Sequence, residues 1–306
     1  MKREDAMKKM VEESIKARGK VLEARRQKFQ RFDSPSLPIE ANYGGGVSSG
    51  GGIAPVEPPN PGDIWKDTYS MFFDGDDASM HTTSDPAPII FDLTNSVTVS
   101  AWVKPTVLVG NNDGIVDYLT STEARGYGIV HSSLAGGKWR AWIGTEGVGG
   151  DVKINRSVNL ILNTWQHVLI TYDSVTGDLL LYLNATPGAA ISAGAGQTIR
   201  PHFAGEPLLI GAATDTPNKE FNGYINEVSI FSNAFTQAEV DEIYNGGKPG
   251  DLNYHSAVSN GVAWWRMGED ATFGGGAWTI PNQYNSQGTV TSVGMTETDR
   301  STDVPS

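Results

Sequence analysis

The sequence predicts an all-β protein built as a two-sheet antiparallel sandwich. Thirty-six glycines are spread along the 306 residues, and turn dipeptides recur between short runs of alternating apolar and polar residues. The clearest runs lie between Trp165 and Asn184, where two alternating segments flank the turn 174–177 and predict a hairpin. Few segments have a helical period, which argues against a parallel α/β fold. A chain of this length can hold one large sandwich with accessory segments.

A basic helical anchor is predicted for residues 1–33. This segment contains eleven Lys/Arg and six Asp/Glu, whereas the rest of the chain contains twelve and 29, so a basic arm is joined to an acidic body. Its apolar stripe is thin, and Gly19 weakens the helix by about 1 kcal/mol relative to alanine. Docking on another surface, or bundling with copies of itself, would stabilise such a helix, and the alternative is a solvated, frayed arm. Because the body repels nucleic acid, only the arm could contact phosphates.

Residues 34–67 are predicted to form a Pro/Gly-rich linker or arm. Prolines and the glycine triplets at 44–46 and 50–52 dominate, and apolar clusters are almost absent. Such a composition cannot build its own core, but a partner can order it. The segment therefore either tethers the domain or drapes over a neighbouring subunit.

Alternating strands begin at residue 69. In the strand predicted for 138–144, Trp139 shares a face with Ala141 and Ile143 and is predicted to be core, whereas Arg140 and Trp142 share the opposite face. The other strands predicted before the hairpin are 69–75, 97–105 and 126–133.

Six segments, in their order and spacing, resemble the laminin-G-like domains of the concanavalin A-like lectin superfamily. They are Phe73–Asp77, Ser100–Val103, Asn163–Val168, Leu180–Asn184, Leu209–Gly211 and Phe221–Val228. The resemblance implies a jelly-roll sandwich over residues 68–250 that ends in a helix carrying residues 238–244, and a function of binding rather than catalysis. One departure is Asn226, where many relatives carry Asp before Glu.

Residues 251–306 are predicted to be a C-terminal extension that packs on the sandwich, with a strand over 261–269. This combination resembles virion proteins of tailed marine bacteriophages. The resemblance implies a virion location, attachment to other virion proteins of the capsid or tail through residues 1–60, and a homo-oligomer. Capsid decoration or a fibre module is the expected role, which would also explain why the sequence shows no signal peptide.

A carbohydrate-binding site is predicted on the strand pair 126–144. Aromatic rings beside Arg or His are typical of a sugar-binding face, and the candidates are Arg140, Trp142, Tyr127 and His131. Inner sandwich faces also contain large rings, so a core role is the alternative for each ring. Of the four, Arg140 and Trp142 are the residues expected to be exposed.

A calcium site is predicted at the turn after the first strand. Asp74, Asp76 and Asp77 offer hard oxygen ligands there, with Glu227 as a distant partner. The alternative is ordinary turn chemistry, in which aspartate side chains bond to their own backbone and Gly75 takes a positive φ.

Enzymatic activity is not predicted. The chain has no cysteine, none of the common nucleophile, zinc or phosphate-loop motifs, and no glucanase-like row of alternating carboxylates. A membrane-spanning apolar run is also missing. The predicted function is a non-enzymatic virion protein that displays a lectin-like sandwich and binds host glycans. The alternatives are a free lectin or glycan-processing accessory module and, last, a glycoside hydrolase.

Overall fold

The computed structural model describes residues 65–82, 89–107, 111–120, 125–132, 137–146, 151–203, 206–213 and 219–306, with the backbone alone at 111, 120 and 151–159. These residues belong to the unit Glu57–Ser306. The predicted anchor at 1–33 and the predicted linker up to residue 64 lie outside the described residues. No helix of the described part is long and apolar enough to cross a membrane.

Nineteen strands are described. In chain order they are β1 (Ser70–Asp74), β2 (Ser79–Thr82), β3 (Ser96–Pro105), β4 (Asn111–Thr120), β5 (Arg125–Ser132), β6 (Lys138–Gly144), β7 (Asp151–Asn159), β8 (Gln166–Asp173), β9 (Asp178–Leu183), β10 (Thr186–Pro187), β11 (Ile191–Ser192), β12 (Leu209–Ile210), β13 (Asn222–Phe231), β14 (Gly261–Trp265), β15 (Met267–Asp270), β16 (Thr272–Gly274), β17 (Ala277–Ile280), β18 (Val290–Val293) and β19 (Arg300–Ser301).

Eighteen of the described strands, all except β15, pair in two antiparallel sheets, which confirms the predicted sandwich. The back sheet has the order β10-β9-β8-β3-β13-β1-β19, with β11 beside β9 and β14 beside β13. The front sheet has the order β16-β17-β18-β2-β12-β4-β5-β6-β7. The predicted hairpin is β8–β9, in register from Val168 opposite Leu183 to Asp173 opposite Asp178.

The main core lies between the two sheets. On β3, every second residue points inward and is completely buried: Val97, Val99, Ala101 and Val103. Facing them, β6 contributes Trp139 and its apolar neighbours on the same face, all with no exposed surface. Each fully buried aliphatic or aromatic side chain stabilises the fold by about 1.5–3 kcal/mol relative to an exposed one. Alternation with period two thus decides which residues remain for the outer faces.

Gly211 allows the front sheet to approach the back sheet closely. It follows β12 with φ 81°, and a Cβ at this position would lie 2.1 Å from the ring of Phe73 on β1. A side chain there would collide with a buried ring and would also strain the left-handed backbone. The segment Leu209–Gly211 is therefore fixed by packing at its last residue.

One α-helix, α1 (Gln237–Tyr244), is described. Thr236 caps its N-terminus in a reciprocal capping box with Glu239, and Asn245 ends it in the left-handed conformation. The helix buries Val240 and Ile243 against the outer surface of the back sheet. The second apolar cluster formed there also contains Leu169, Tyr182, Phe231, Phe235 and Trp264.

The C-terminal extension is built into both sheets. β14 pairs with β13 and β19 with β1 in the back sheet, whereas β18 pairs with β2 in the front sheet. Trp264 and Trp265 point to opposite sides, as alternation predicts: Trp265 joins the main core and Trp264 joins the cluster under α1. The prediction of a single continuous strand over 261–269 is wrong in one respect. It is interrupted at Arg266, after which Met267 takes φ 46°.

Candidate functional site

The outer surface of the front sheet is the broad sheet surface that α1 does not cover. A row of paired residues crosses it from β2 to β6, and this row, together with Arg140, is called the front face below. The pairs that define the row are His81 with Leu209, Leu209 with Asp117, Asp117 with Gly128, and Gly128 with Trp142.

Arg140 and Trp142 lie on this face, as the alternation predicts. Both are partly exposed, whereas their neighbours Trp139, Ala141 and Ile143 are completely buried. The Arg140 guanidinium lies 5.9 Å from the centre of the Trp142 ring. A flat ring beside a fixed guanidinium can stack on an apolar ligand surface and donate hydrogen bonds at its edge.

A hydrogen bond to Asn112 fixes the Arg140 side chain. Nη1 of Arg140 donates to Oδ1 of Asn112, which lies at the start of β4 with φ 70°. Partial burial lowers the pKa of Arg140 from its ordinary value, but arginine remains charged at neutral pH. The guanidinium is therefore held in place before a ligand arrives, which lowers the entropy cost of binding.

The middle of the front face is closely packed around Gly128, where neighbouring atoms leave no room for a side chain. A Cβ there would lie 2.9 Å from Cδ1 of Leu119 and 3.2 Å from Oδ1 of Asp117. Asp117 is 2% exposed and Leu209 is 7% exposed. Trp142 therefore lies next to a row of residues that are themselves almost completely buried, among them one carboxylate.

Tyr127 and His131 are corrected from ligand contacts to core residues. Each is 1% exposed, because each is paired with a core residue of β6: Tyr127 with Ile143, and His131 with Trp139. The Tyr127 hydroxyl donates to the carbonyl of Phe91 at 3.0 Å, and its burial raises the pKa well above the ordinary value. His131 Nδ1 lies 3.0 Å from a carboxylate oxygen of Asp113, which is also buried.

Sequence reasoning missed His81 and Asp117 as residues of this face. His81 Nε2 lies 2.9 Å from Oγ of Ser79, and burial lowers the pKa of the imidazole. The sequence signal for His81 is the alternation around Met80, which is completely buried. Asp117 was missed because β4 begins Asn-Asn-Asp-Gly, a composition typical of turns.

The turn of Asp74, Asp76 and Asp77 has the geometry of an aspartate turn. Oδ1 of Asp74 accepts from the backbone N–H of Asp76 at 3.0 Å and of Ala78 at 3.4 Å. All three aspartates are exposed. These bonds fit the ordinary turn chemistry and leave the other carboxylate oxygens to solvent, so calcium at this turn stays a prediction.

Glu227 lies in a different acidic cluster, with Asp67 and Glu269. One carboxylate oxygen from each of the three lies within 4.8 Å of the others, and this is the group of three potential metal ligands found among the described residues. Glu227 is 4% exposed because a bulge between Asn226 and Ser229 gives it φ 46° and breaks the alternation of β13.

Hydrogen bonds already occupy most oxygens of this cluster. Both Asp67 oxygens accept from Nδ2 of Asn226, at 2.8 and 2.9 Å. An aspartate at 226 would instead repel Asp67, so the amide fits this arrangement. Glu269 Oε1 accepts from the backbone N–H groups of Thr68 and Tyr69.

Glu227 accepts from Nε1 of Trp264, and the Nε of Arg266 lies 3.3 Å from its other oxygen. Arg266 also donates to the carbonyl of Lys66. The cluster therefore joins residues 66–69 to β13 and β15 and differs from an open metal site.

Burial raises the pKa of all three carboxyl groups in the cluster. Asp67 rises to about 7, and Arg266 and the Asn226 hydrogen bonds only partly offset the loss of solvation. Glu227 rises well above its ordinary value, with the Arg266 charge opposing the effect of burial, and Glu269 rises as well. With three carboxyl groups and one guanidinium in the cluster, burial thus favours the protonated, neutral form of the carboxyl groups.

Together, the two antiparallel sheets and the helix packed on the back of the sandwich define a lectin-like fold. The chain belongs to the concanavalin A-like lectin/glucanases superfamily, whose model matches residues 74–241, more than half of the chain. This confirms the family resemblance carried by the six segments. No curated protein matches the chain in sequence.

Solved structures that are similar to the chain share little sequence with it. A candidate carbohydrate binding protein from Bacteroides ovatus has a TM-score of 0.56 and 18% identity, over 79% of this chain and 62% of its own, so the chain spans less than two thirds of that protein. The CBM40 of Ruminococcus gnavus IT-sialidase, bound to α2,3 sialyllactose, has a TM-score of 0.47 and 12% identity, over 57% of this chain and 97% of its own. A heptameric SAP-like pentraxin from Limulus polyphemus has a TM-score of 0.44 and 18% identity, over 58% of this chain and 82% of its own. At 18% identity the likeness to the Bacteroides ovatus protein shows the fold alone.

Proposed function

We propose that the protein is a non-enzymatic lectin that binds glycans on its front face. The observation that carries this proposal is the pair Arg140 and Trp142 on the front face: both side chains are partly exposed, and the Arg140 guanidinium lies 5.9 Å from the centre of the Trp142 ring. The candidate role of the Bacteroides ovatus protein in carbohydrate binding supports it. Trp142 stacks on a pyranose ring, and Arg140 donates to its hydroxyl or carboxylate oxygens.

The number and burial of the carboxylates on the front face favour binding over hydrolysis. A glycoside hydrolase needs two carboxyl groups about 5–10 Å apart on either side of the scissile bond. In the row from His81 to Trp142, Asp117 is the one carboxylate, and it is 2% exposed. The three carboxyl groups that do converge lie in the cluster of Asp67, which is occupied by internal hydrogen bonds.

Replacing Trp142 by alanine is expected to weaken glycan binding at least about 30-fold, because a central aromatic contact is commonly worth about 2 kcal/mol or more. A glycan array with the full-length chain would identify the best oligosaccharide, and titration calorimetry would measure the variant. Tyr254→Ala is the matched control, since Tyr254 is 51% exposed on a turn elsewhere and its loss should leave affinity unchanged. Equal affinity of Trp142→Ala and wild type would remove the front face as the binding site.

We also propose that the lectin is displayed on a virion, where the arm of residues 1–60 attaches it to other virion proteins and copies of the chain associate. The contrast between the basic first 33 residues and the acidic remainder supports separate partners for the two parts. Many copies would convert weak single-site binding into useful avidity for host glycans. A calcium ion at the Asp74–Asp77 turn belongs to the same proposal.

Attachment can be tested with virus particles stripped of this protein. The full-length chain is expected to co-sediment with them, and the version lacking residues 1–60 is expected to stay in the supernatant. Failure of both to co-sediment would leave a free lectin as the function, because glycan binding by the front face does not depend on the arm.

A further inference from the structure

A second group of aromatic side chains lies on the outer surface of the back sheet, beyond the region that α1 covers. Phe72 on β1 is paired with Tyr224 on β13, and Tyr224 is paired with Lys104 on β3. Trp165 lies beside this row, and Asp303 borders it from the C-terminal tail. These five residues are called the aromatic shelf.

The rings of the shelf are close together and fixed. The ring centres of Phe72 and Tyr224 are 5.0 Å apart, and those of Trp165 and Tyr224 are 6.3 Å apart. Lys104 Nζ lies 5.6 Å from the centre of the Tyr224 ring and is paired with Asp303. The other carboxylate oxygen of Asp303 accepts from Nε1 of Trp165 at 2.9 Å. A charged donor and a charged acceptor thus stand at the rim of an aromatic surface.

The core does not account for these rings. Met71, Phe73 and Ile225 are the chain neighbours that point inward, and each is completely buried. Phe72, Tyr224 and Trp165 point outward and remain partly exposed. The neighbouring row of the same sheet differs, because there Trp102 stacks under Tyr244 of α1 with ring centres 5.7 Å apart. Contiguous exposed rings of this kind mark a binding surface more often than single exposed rings do.

We propose that the aromatic shelf is a second glycan-binding site, specific for neutral pyranose sugars, an inference that rests on the glycan binding proposed for the front face. A pyranose ring places its C–H face on Tyr224 and Trp165, and its hydroxyls bond to Lys104 and Asp303. Because the Asp303 carboxylate balances the Lys104 charge, the shelf has no net charge to offer an anionic sugar.

Other occupants fit the shelf less well. Nucleic acid requires several unpaired basic groups along a phosphate backbone, and the one lysine here is paired. A lipid surface requires a wide apolar face with a basic rim. Three partly exposed rings with neighbouring centres 5.0 and 6.3 Å apart, and one donor and one acceptor at their edge, suit a small ligand that both stacks and hydrogen-bonds.

The two sites lie on opposite outer surfaces of the sandwich. Packed sheets are about 10 Å apart, so a single sugar unit cannot touch both sites. Two independent sites per chain would let one molecule cross-link separate glycan chains, and copies of the chain would increase avidity further.

The test uses the full-length protein and calorimetric titration with the neutral tetrasaccharide that ranks first on a glycan array. Tyr224→Ala should abolish or weaken one of two binding events at least tenfold, and Trp142→Ala should affect the other. Asp303→Ala is a second shelf variant, since this side chain is 37% exposed and the fold should tolerate its loss. Tyr254→Ala is the matched control for an exposed aromatic residue, and thermal unfolding checks that each variant is folded.

Loss of one of the two binding events in Tyr224→Ala and Asp303→Ala, and loss of the other in Trp142→Ala, would support the shelf. A single binding event that only Trp142→Ala removes would overturn the shelf and leave the front-face function standing. No binding of any array glycan by the wild type would overturn both. Unchanged sugar binding combined with a lower oligomeric state of Tyr224→Ala would make the shelf an interface between copies and would also overturn this assignment.

Discussion

Replacing Arg266 by methionine is expected to destabilise the protein by about 3–5 kcal/mol at pH 8, because the buried Glu227 must then either remain ionised without a partner or take up a proton. The Arg266 side chain is 13% exposed, and its Nε lies 3.3 Å from Oε1 of Glu227, whose side chain is 3% exposed. The guanidinium also lies 5.0 Å from the centre of the Trp65 ring. Methionine keeps much of the apolar packing, so the charge is the main loss. The measurement is urea unfolding of the full-length chain, followed by fluorescence.

The matched control for this substitution is Arg200→Met. Arg200 also pairs with a glutamate, but its partner Glu146 is 54% exposed and the Nε to carboxylate distance is 3.8 Å. An exposed pair of this kind contributes about 0–1 kcal/mol. Adding Glu227→Gln to Arg266→Met should restore much of the stability, since the neutral amide needs no countercharge. Equal losses for the two arginine variants would show that Arg266 does not act through its charge.

Alternation in the sequence was sufficient to assign faces in regular strands. It placed Arg140 and Trp142 opposite Trp139, and the burial of these residues confirms it. The same rule, applied across the pairing of β5 with β6, places Tyr127 and His131 on the core face. Their assignment as ligand contacts was wrong because side-chain type was weighed without the register between neighbouring strands.

The acidic cluster could not be predicted from sequence for two physical reasons. Asp67 and Glu269 are far from Glu227 in the chain, and they meet it because β1, which follows Asp67, and β14, which precedes Glu269, both pair with β13. The bulge after Asn226 also shifts Glu227 out of the alternating pattern. A resemblance to relatives with Asp before Glu draws attention to calcium here, whereas Asn226 instead donates to Asp67.

The residues of the front face could also be predicted from the sequence only in part. Its row of residues comes from β2, β12, β4, β5 and β6, and the order of these strands is set by the sheet as a whole. Sequence reasoning found the two residues on β6, where the pattern is regular. It missed Asp117 because two irregularities in the pairing of β4 with β5 interrupt alternation, and because Asn and Gly open the strand.

The stability of the wild type is expected to fall as pH rises from about 4 to about 7, relative to the variant Asp67→Asn. Burial raises the pKa of Asp67 from 3.8 to about 7, so over this window the folded protein keeps a proton that the unfolded chain has lost. Below pH 4 both states are protonated and the shift has no effect. Above pH 7 the folded protein holds an ionised Asp67 beside Glu227 and Glu269, and the stabilisation from the proton is lost. Asparagine at 67 removes this titration.

The size of the effect follows from the pKa shift. Three pH units correspond to about 4 kcal/mol at most, and partial exposure of Asp67 lowers this to about 2 kcal/mol. Thermal unfolding should therefore show similar melting temperatures for wild type and Asp67→Asn at pH 4, and a variant that is more stable by about 4–8 °C at pH 8. Asp76→Asn, an exposed aspartate on the turn after β1, is the control for the loss of one negative charge. A melting difference that stays constant from pH 4 to pH 8 would mean that Asp67 does not hold a proton in the folded state. The charges of the carboxyl groups that join residues 66–69 to β13 and β15 would then be compensated by neighbouring groups rather than by protonation.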